Sequence, residues 1–371
     1  MTGTTLAPQG PGTTAPGTFD PGRAEAFAGR LFELYTDGLL SLMVDIGHRT
    51  GLFAAAAAGP ATSAELAGRA DLQERYVREW LGAMVTGGIL EHDREGGTYR
   101  LPAEHAACLT GTGSANLAPM SRLGTHLAKH VDGVARAFRE GGGVPYGDYR
   151  PEFTDVMDAL GRGTFDELLV EAYLPLVPGL AGRLAAGARV ADVGCGTGHA
   201  IVLLAAAYPA SAFVGYDLAA DAVARARSEA AAAGLANARF EVRDAARLTV
   251  AEPFDLVLVF DAVHDQVAPA AVLERIHAAL APGGTLVMVE PRASSDLAEN
   301  LANPVAPLLY SVSTLHCLTV SLAGGGAGLG AAWGEELARS MLADAGFGDV
   351  VVHEAPGDPL NAVFVASKPS G

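Results

Sequence analysis

Three glycines at alternate positions, Gly194, Gly196 and Gly198, form the segment of this chain best suited to holding a ligand. They follow a short apolar run, residues 190–193, and an Ala-rich stretch begins soon after them. Because glycine has no Cβ, the backbone can turn sharply there and approach a ligand closely. The order predicts a buried strand, a tight turn and a new helix. The free N–H groups of that helix would point into the crevice at the carboxyl end of the strand.

Such a crevice can bind a dinucleotide or another class of ligand. The third alternative is a structural turn that binds nothing. A dinucleotide site favours the pattern G-x-G-x-x-G, in which the third glycine lies at the helix contact. In this chain that position is His199, so the pyrophosphate-binding pattern is the poorer match. A glycine-rich turn alone is a weak signal, and the residues that follow it must decide among the three.

Acidic residues end or follow the next three apolar runs. Asp217 lies 19 residues after Gly198, which is the usual place for a carboxylate that accepts hydrogen bonds from a ribose diol. Asp244 and Asp261 follow the third and fourth runs. Helical segments long enough to be crossovers separate the runs, which predicts parallel strands. The predicted strands are 190–193, 212–217, 239–242, 254–260 and 285–290.

A histidine suited to proton transfer follows the fourth strand. His264 and Asp265 come just after Phe260 and Asp261, on the ligand side of the predicted sheet. A histidine with an ordinary pKa of about 6.5 can take a proton from an acceptor near neutral pH. The alternative is that His264 caps the next helix and that Asp265 is the acid of its first turn.

At this point the sequence resembles the class I S-adenosylmethionine-dependent methyltransferases. The matching segments, in order, are VADVGCGTG, VGYDL, VRDA, FDLVLVFDAVHD and LAPGGTLVMVE, which span roughly residues 188–291. The resemblance implies an α/β fold with a seven-stranded Rossmann-like sheet, whose last strand is antiparallel and inserted beside the fifth. It also implies S-adenosylmethionine as cofactor and transfer of its methyl group to a small-molecule acceptor.

The same resemblance implies a role for particular residues. The three glycines would lie against the methionine part of the cofactor, and Asp217 would hold the ribose hydroxyls. Asp244 would meet the adenine amino group, and Phe260 would lie near the cofactor. The full set of expected cofactor-binding residues is Asp192, Gly194, Gly196, Gly198, Asp217, Leu218, Asp244, Ala245 and Phe260.

His264 and Asp265 resemble the His-Asp pair of the O-methyltransferases, in which the histidine is the general base. We therefore expect both to be catalytic, although the Trp that commonly follows is Gln266 here, which leaves the acceptor type open. A second hypothesis adds His316. Two histidines and the carboxylate of Asp265 would suit Fe(II), an arrangement that some methyltransferases acting on 2-oxo acids resemble. Polar pocket residues without a metal are the alternative.

The chain divides into four predicted parts. We predict a disordered tail at 1–20, a winged-helix-like dimerisation domain at 21–112, a helical linker and pocket wall at 113–183, and an S-adenosylmethionine-binding domain at 184–371. In the last part, residues 294–333 are longer than an ordinary connection, which predicts a cap or lid. His126 and His130 in the linker are four residues apart and share a helix face. This spacing can bind a metal, and the alternative is that they are surface histidines or satisfied core histidines.

The N-terminal pattern of helices 64–70 and 74–86 and a hairpin at 89–92 and 98–101 resembles a winged helix. A second helix that binds in the major groove should be basic, but the charges of Glu74, Arg75, Arg78 and Glu79 sum to zero. We therefore expect a homodimer and no nucleic-acid partner. The rival hypotheses are a cofactor-sensing transcriptional regulator and an enzyme that uses S-adenosylmethionine without transferring its methyl group.

The composition argues against several other classes. The net charge of −17 argues against a broad electrostatic surface for nucleic acid or anionic membrane. Three scattered cysteines are too few for a disulfide framework, so we expect a reducing cytoplasm. We also expect no signal peptide, because the N-terminus has no basic region followed by an apolar core. We expect no membrane span, because no apolar run reaches about 18 residues.

Overall fold

The computed structural model describes residues 19–370. The predicted tail at 1–20 therefore lies outside the described residues, except for Phe19 and Asp20. The Asp20 carboxylate accepts from the backbone N–H groups of Gly22 and Arg23, and this cap begins helix α1, Pro21–Arg49.

Only the C-terminal end of α1 packs against the rest of the chain. Trp80 Nε1 donates to the Met43 carbonyl at 2.8 Å, and the buried Asp45 accepts from Arg49 and Thr125. Before Leu40 almost every residue of α1 is exposed, including several large apolar side chains. The helix therefore presents a long apolar surface that the described chain does not cover.

A helix-turn-helix and a hairpin follow α1, as the sequence predicts. Thr62 and Glu65 form a reciprocal capping box at the start of α3, which satisfies two backbone donors. Leu66, Leu81 and Met84 fill the core of this unit. Its elements are α2 Leu52–Ala57, α3 Ser63–Ala70, α4 Glu74–Thr86, β1 Glu91–Asp93, β2 Thr98–Arg100 and α5 Ala103–Leu109.

The next segment is helical and is organised around one long helix, α9. This helix contacts α6 and also α11 of the following sheet domain. A π-helical turn, Leu169–Tyr173, and a 3-10 turn, Leu174–Leu176, continue it toward the sheet. The helices are α6 Ala118–Ala128, α7 Val131–Glu140, α8 Tyr146–Tyr149, α9 Glu152–Leu168 and α10 Leu180–Ala186.

Seven strands form one sheet in the order β5-β4-β3-β6-β7-β9-β8. All neighbours pair in parallel except β9, which runs antiparallel between β7 and β8. The predicted sheet, including the inserted last strand, is confirmed. The strands are β3 Arg189–Val193, β4 Ala212–Asp217, β5 Ala238–Val242, β6 Phe254–Phe260, β7 Leu280–Pro291, β8 Gly348–His353 and β9 Asn361–Ser367.

Buried apolar residues cover both faces of this sheet, where helices pack against it. The chain runs from β3 outward to β5 and then returns to β6 on the other side of β3. Such a reversal opens a crevice at the carboxyl ends of the central strands, where ligands bind in open α/β sheets. The helices are α11 His199–Ala207, α12 Ala220–Ala232, α13 Pro269–Ala279 and α17 Glu335–Asp344.

The long connection after β7 packs over the helical segment as a cap. It contains α14 Leu297–Asn300, α15 Ala306–Leu315 and α16 Cys317–Ala323. Tyr149 Oη donates to the Leu315 carbonyl at 2.5 Å, and the Val144 N–H donates to Thr319 Oγ1 at 2.8 Å. These bonds join the cap to the loop before α8 and to α8 itself.

By length and composition, the helical segment Ala306–Ala323 could cross a membrane, with a mean hydropathy of 1.3. This finding differs from the expectation that no apolar run reaches about 18 residues. In the structure the segment bends at His316 (φ −139°, ψ −78°) and 39% of it is buried within the protein. The bent pair Glu152–Leu176 and Leu180–Ala186 meets the same criterion only when counted as one span. Buried helices of other proteins also meet it, so this is weak support for a span.

Candidate active site

The glycine-rich turn lies where β3 ends and leaves an open space above one of its glycines. The N–H groups of Gly194 and Cys195 both donate to the Tyr216 carbonyl, which fixes the turn to β4. A Cβ on Gly198 would lie 2.4 Å from Phe240, so this glycine permits the close packing of α11. Gly196 has a φ of +52°, and a Cβ there would meet nothing within 4 Å. The turn therefore has room for a ligand at Gly196.

Asp217 at the end of β4 lies beside this space. One carboxylate oxygen accepts from the Gly196 N–H at 2.8 Å, and the other accepts from the Ala219 N–H at 2.8 Å. Burial raises the pKa of Asp217, although these two hydrogen bonds oppose the rise. Leu218 follows it as a 65% exposed side chain. The carboxylate is thus fixed at the edge of the turn, as expected for a group that holds a ribose.

Asp192 of β3 carries a buried oxygen without a partner. The residue is 1% exposed, and within residues 19–370 its Oδ1 has no hydrogen-bond partner. Burial and the nearby charge of Asp217 raise its pKa to about 8. An unsatisfied buried acceptor costs about 1–3 kcal/mol. A ligand with hydroxyl or amino donors would remove that cost, so this turn fits an adenosyl ligand that carries an amino acid part.

The other expected cofactor residues lie along the same edge of the sheet. Asp244 follows β5 and accepts from the Ala246 N–H at 2.9 Å, and Ala245 begins a single 3-10 turn. Phe260 ends β6, and its ring lies 4.9 Å from that of Phe165. The structure therefore brings the expected residues to one crevice, while their contacts with a cofactor stay predictions.

His264 lies at the other side of this crevice, and its partner is Glu290 rather than Asp265. The histidine is 3% exposed, and its Nδ1 lies 2.5 Å from Glu290 Oε2. Glu290 ends the buried part of β7 and also accepts from the Val263 N–H at 2.9 Å and from Trp333 Nε1 at 3.3 Å. These donors fix the carboxylate, which in turn orients the imidazole.

Asp265 is partly buried and has no hydrogen bond to His264, and burial raises its pKa to about 7. Its catalytic role stays a prediction. The alternative that His264 caps the next helix is wrong, because α13 begins at Pro269 and its capping residue is Ala268.

The electrostatic surroundings of His264 favour its protonated form. Burial disfavours the imidazolium, but the negative charge of Glu290 and the hydrogen bond to it outweigh burial and hold the pKa of His264 well above its ordinary range. The pair is therefore a buried, charge-assisted dyad whose imidazole gains basicity from the carboxylate.

The structure does not assemble the proposed metal face. The ligand atoms of His264, Asp265 and His316 do not all lie within 4.8 Å of one another. Among the described residues, the group that meets this spacing is Asp261, His264 and Glu290. His316 is nevertheless buried at 2% exposure, and its Nε2 has no partner in the described part of the chain.

Sequence reasoning missed a charged network that joins α9 to the glycine-rich turn. Thr197 Oγ1 donates to Asp158 at 2.6 Å, and Arg162 bonds both Asp158 at 2.9 Å and Glu229 at 2.8 Å. His199 also contacts Glu229, at 3.0 Å. The only signal in the sequence was the i, i+4 spacing of Asp158 and Arg162.

The second helix of the winged-helix unit offers little to a phosphate backbone. Arg75 lies 2.6 Å from Glu79, and Arg78 lies 3.3 Å from Glu74. Both arginines are thus paired within their own helix, which does not favour the regulator hypothesis.

Comparison with known proteins agrees with this two-part organisation. Residues 38–111 match the family model of the Rv2258c-like winged HTH domain, and residues 184–346 match that of a methyltransferase domain. A trans-aconitate 2-methyltransferase of Methylobacterium nodulans is 36% identical over 130 residues, which are 35% of this chain and 46% of that enzyme. The chain therefore matches about half the length of this curated relative.

Solved structures share the fold over almost the whole chain. An O-methyltransferase family protein from Burkholderia thailandensis has a TM-score of 0.68 and 18% identity, over 93% of this chain and 98% of its own. Human N-acetylserotonin methyltransferase in complex with SAM has a TM-score of 0.67 and 20% identity, over 92% of this chain and 98% of its own.

The family models therefore show a methyltransferase domain at residues 184–346, and the solved structures show the fold that goes with it. The chain also carries an N-terminal winged HTH domain of the Rv2258c-like type at residues 38–111.

Proposed function

We propose that this protein transfers the methyl group of S-adenosylmethionine to a small-molecule acceptor and that His264 is the general base. The observation that carries the proposal is the buried His264–Glu290 dyad, at the crevice where Asp192 Oδ1 has no hydrogen-bond partner among the described residues.

Different residues of the chain would bind the methyl donor, exclude water and remove the acceptor proton. When bound, S-adenosylmethionine supplies an electrophilic methyl group. The glycine-rich turn and Asp217 hold the donor, and the cap and the helical segment exclude water, so that donor and acceptor meet in line. His264 removes the acceptor proton through Nε2, because its Nδ1 is held by Glu290.

The direct test is incubation of the purified protein with S-adenosylmethionine and a small-molecule extract, followed by mass spectrometry. We expect S-adenosylhomocysteine together with a product one methylene heavier than its precursor. A His264→Gln variant that still binds the cofactor should form neither above background. Cofactor binding by the wild type without S-adenosylhomocysteine from any extract would contradict the proposal and favour a cofactor sensor.

A second candidate is a metal-assisted form of the same transfer, for which the ligand atoms of His264, Asp265 and His316 would have to come closer together than they lie in this structure. The observation in its favour is the buried His316, whose Nε2 lacks a partner among the described residues and whose pKa burial lowers to about 3, so that it stays neutral as a ligand must. Elemental analysis of protein purified without added metal tests it. No bound transition metal, with activity that a chelator leaves unchanged, would exclude this form.

We also propose a homodimer in which α1 of one copy packs against a second copy. Phe27, Phe32, Tyr35 and Leu39 are each more than 60% exposed along this helix, and patches of this kind mark interaction surfaces. Light scattering should give twice the mass of the chain, and Phe32→Glu with Leu39→Glu should give one chain mass. A wild-type monomer at micromolar concentration would contradict the dimer.

We place this activity in the cytoplasm. Cys108, Cys195 and Cys317 are all free thiols, and free thiols persist in a reducing compartment. Fractionation of cells with an antibody against the native protein would test this placement, and recovery from a secreted fraction would contradict it.

A further inference from the structure

A compact cluster of five rings lies between the helical segment and the cap; we call it the ring cluster. Phe153 stacks on His316 with ring centroids 3.8 Å apart, and Tyr149 lies 4.8 Å from His316 and 4.0 Å from His130. His126 lies 5.4 Å from His130. Three of the five rings are therefore imidazoles, which an apolar core does not require.

Four of the six nitrogens of these imidazoles are buried and lack hydrogen-bond partners among residues 19–370. In the described part of the chain, seven buried side-chain nitrogen or oxygen atoms have no hydrogen-bond partner. Four of them belong to the ring cluster: both ring nitrogens of His126, Nε2 of His130 and Nε2 of His316. His126 is only 4% exposed, and the nearby Tyr149 carbonyl is not in hydrogen-bonding geometry with it.

The positions of these unpaired atoms indicate where ligands bind. Besides the four atoms of the ring cluster, the seven include Asp192 Oδ1, which lies at the glycine-rich turn. Buried polar atoms are nearly always paired in native proteins, so unpaired atoms gathered in one place indicate where a ligand or ordered water supplies the partner. At Asp192 the partner is the cofactor of the proposed function, and the ring cluster needs a partner of its own.

The ring cluster is continuous with the catalytic dyad. His316 immediately precedes the buried Cys317, whose thiol interacts electrostatically with His264. Tyr146 lies 6.0 Å from His316, and its hydroxyl accepts from Arg150 at 3.1 Å. A molecule that reaches the base from this side therefore extends from His264 past His316 toward His126 and His130.

We propose that His126 and His130 bind an oxygen-bearing group of the methyl acceptor, at the end remote from the atom that is methylated. This inference rests on the proposed function. It assigns the acceptor to the class of ring-shaped molecules with a hydroxyl or carboxylate substituent, since the walls are aromatic and the unpaired atoms are imidazole nitrogens.

The chemistry of neutral imidazole explains the preference for oxygen. Burial lowers the pKa of both His126 and His130, so each ring presents one N–H donor and one bare nitrogen. A hydroxyl group pairs with both kinds of atom, and a carboxylate accepts from two N–H groups. An apolar group would leave the nitrogens unpaired, at about 1–3 kcal/mol for each.

The test uses three probes of one shape on protein saturated with S-adenosylhomocysteine: benzyl alcohol, benzoate and toluene, titrated by ligand-observed NMR. We expect benzyl alcohol or benzoate to bind at least about 10-fold more tightly than toluene, as one unpaired nitrogen implies. The probe that binds more tightly identifies the oxygen group as hydroxyl or carboxylate.

Variants then assign this preference to the cluster. His126→Phe should remove the preference or invert it toward toluene, and His126→Asn should retain part of it. His92→Phe in the winged-helix unit, where His92 stacks on Tyr99, is the matched control and should change nothing.

S-adenosylhomocysteine binding, measured first on each protein, separates the two proposals. If the wild type does not bind it, the proposed function itself fails. Three results would show that the ring cluster is not an acceptor site in a wild-type protein that does bind S-adenosylhomocysteine. Toluene binds as tightly as the oxygen-bearing probes, or no probe binds, or His126→Phe keeps the preference for the oxygen-bearing probes.

Discussion

Helix α9 lies between two regions that differ in whether their polar side chains have hydrogen-bond or ion-pair partners. On the cofactor side, Asp158 and Arg162 bind Thr197, Arg225 and Glu229, and the charges are paired. On the cap side, Phe153 of the same helix contacts imidazoles whose nitrogens have no described partner. The paired region fixes the turn where we expect the cofactor to bind, whereas the unpaired region is where we propose that the acceptor binds.

The dyad lies between these regions, and its loss should have the largest effect. We expect His264→Gln to lower kcat by about 10²–10⁴-fold, because a positioned general base contributes about that much. The dissociation constant of S-adenosylmethionine should change by less than about threefold. Rapid-quench kinetics and calorimetry measure the two quantities, and equal losses in both would place His264 in cofactor binding instead.

On the cofactor side, Asp217→Ala should weaken S-adenosylmethionine binding by about 100-fold, because hydrogen bonds to a charged group contribute about 1.5–3 kcal/mol. Asp255→Ala is the matched control. Asp255 lies at the opposite end of the sheet, where it accepts from the Arg189 N–H at 2.8 Å. Calorimetry should show a large loss for the first variant alone, and unaltered binding in Asp217→Ala would exclude the proposed ribose contact.

The dyad also predicts a pH profile. The pKa of His264 is raised, so the neutral base forms only as the pH rises through that elevated pKa. A plot of kcat/KM against pH should therefore rise with a midpoint above about 6.5, the ordinary pKa of histidine. Glu290→Gln removes the charge that raises the pKa, while burial still lowers it. The rising limb should therefore move to lower pH by at least about one unit.

The control for this profile is Glu241→Gln on the edge strand β5. A profile that does not move in Glu290→Gln, or that moves equally in Glu241→Gln, would show that the limb belongs to another group.

The smallest effect concerns stability on the paired side. Arg162→Ala should lower the free energy of unfolding by about 2 kcal/mol, because it removes the guanidinium that pairs with both Glu229 and the buried Asp158. Arg243→Ala removes an exposed pair with Glu241 at 3.2 Å and should cost less than about 0.5 kcal/mol. Urea denaturation compares the two, and equal losses would show that the network adds nothing beyond surface pairing.

Much of the fold follows from local patterns in the sequence. β4 and β6 begin and end as predicted because their apolar runs end at Asp217 and Phe260 beside clear turn residues. The seven-stranded sheet and the winged helix follow from the resemblance and from these runs. The boundaries of β1 differ by up to two residues, since Ile89 and Leu90 belong to the turn before it.

The site was less predictable, because its contacts join distant segments. Asp265 is adjacent to His264 in sequence, but the partner is Glu290, 26 residues away, which approaches only when β6 and β7 pair. His126 and His130 had a recognisable spacing. Their neighbours come from α8, α9 and the cap, and no local pattern places those segments together.

The most direct test of the account is calorimetric titration of the purified protein with S-adenosylmethionine and, separately, with NADH. The open space at Gly196 and the unpaired Asp192 predict a dissociation constant on the order of micromolar for the sulfonium ligand and no heat with the dinucleotide. Heat with NADH and none with S-adenosylmethionine would contradict the account of this site.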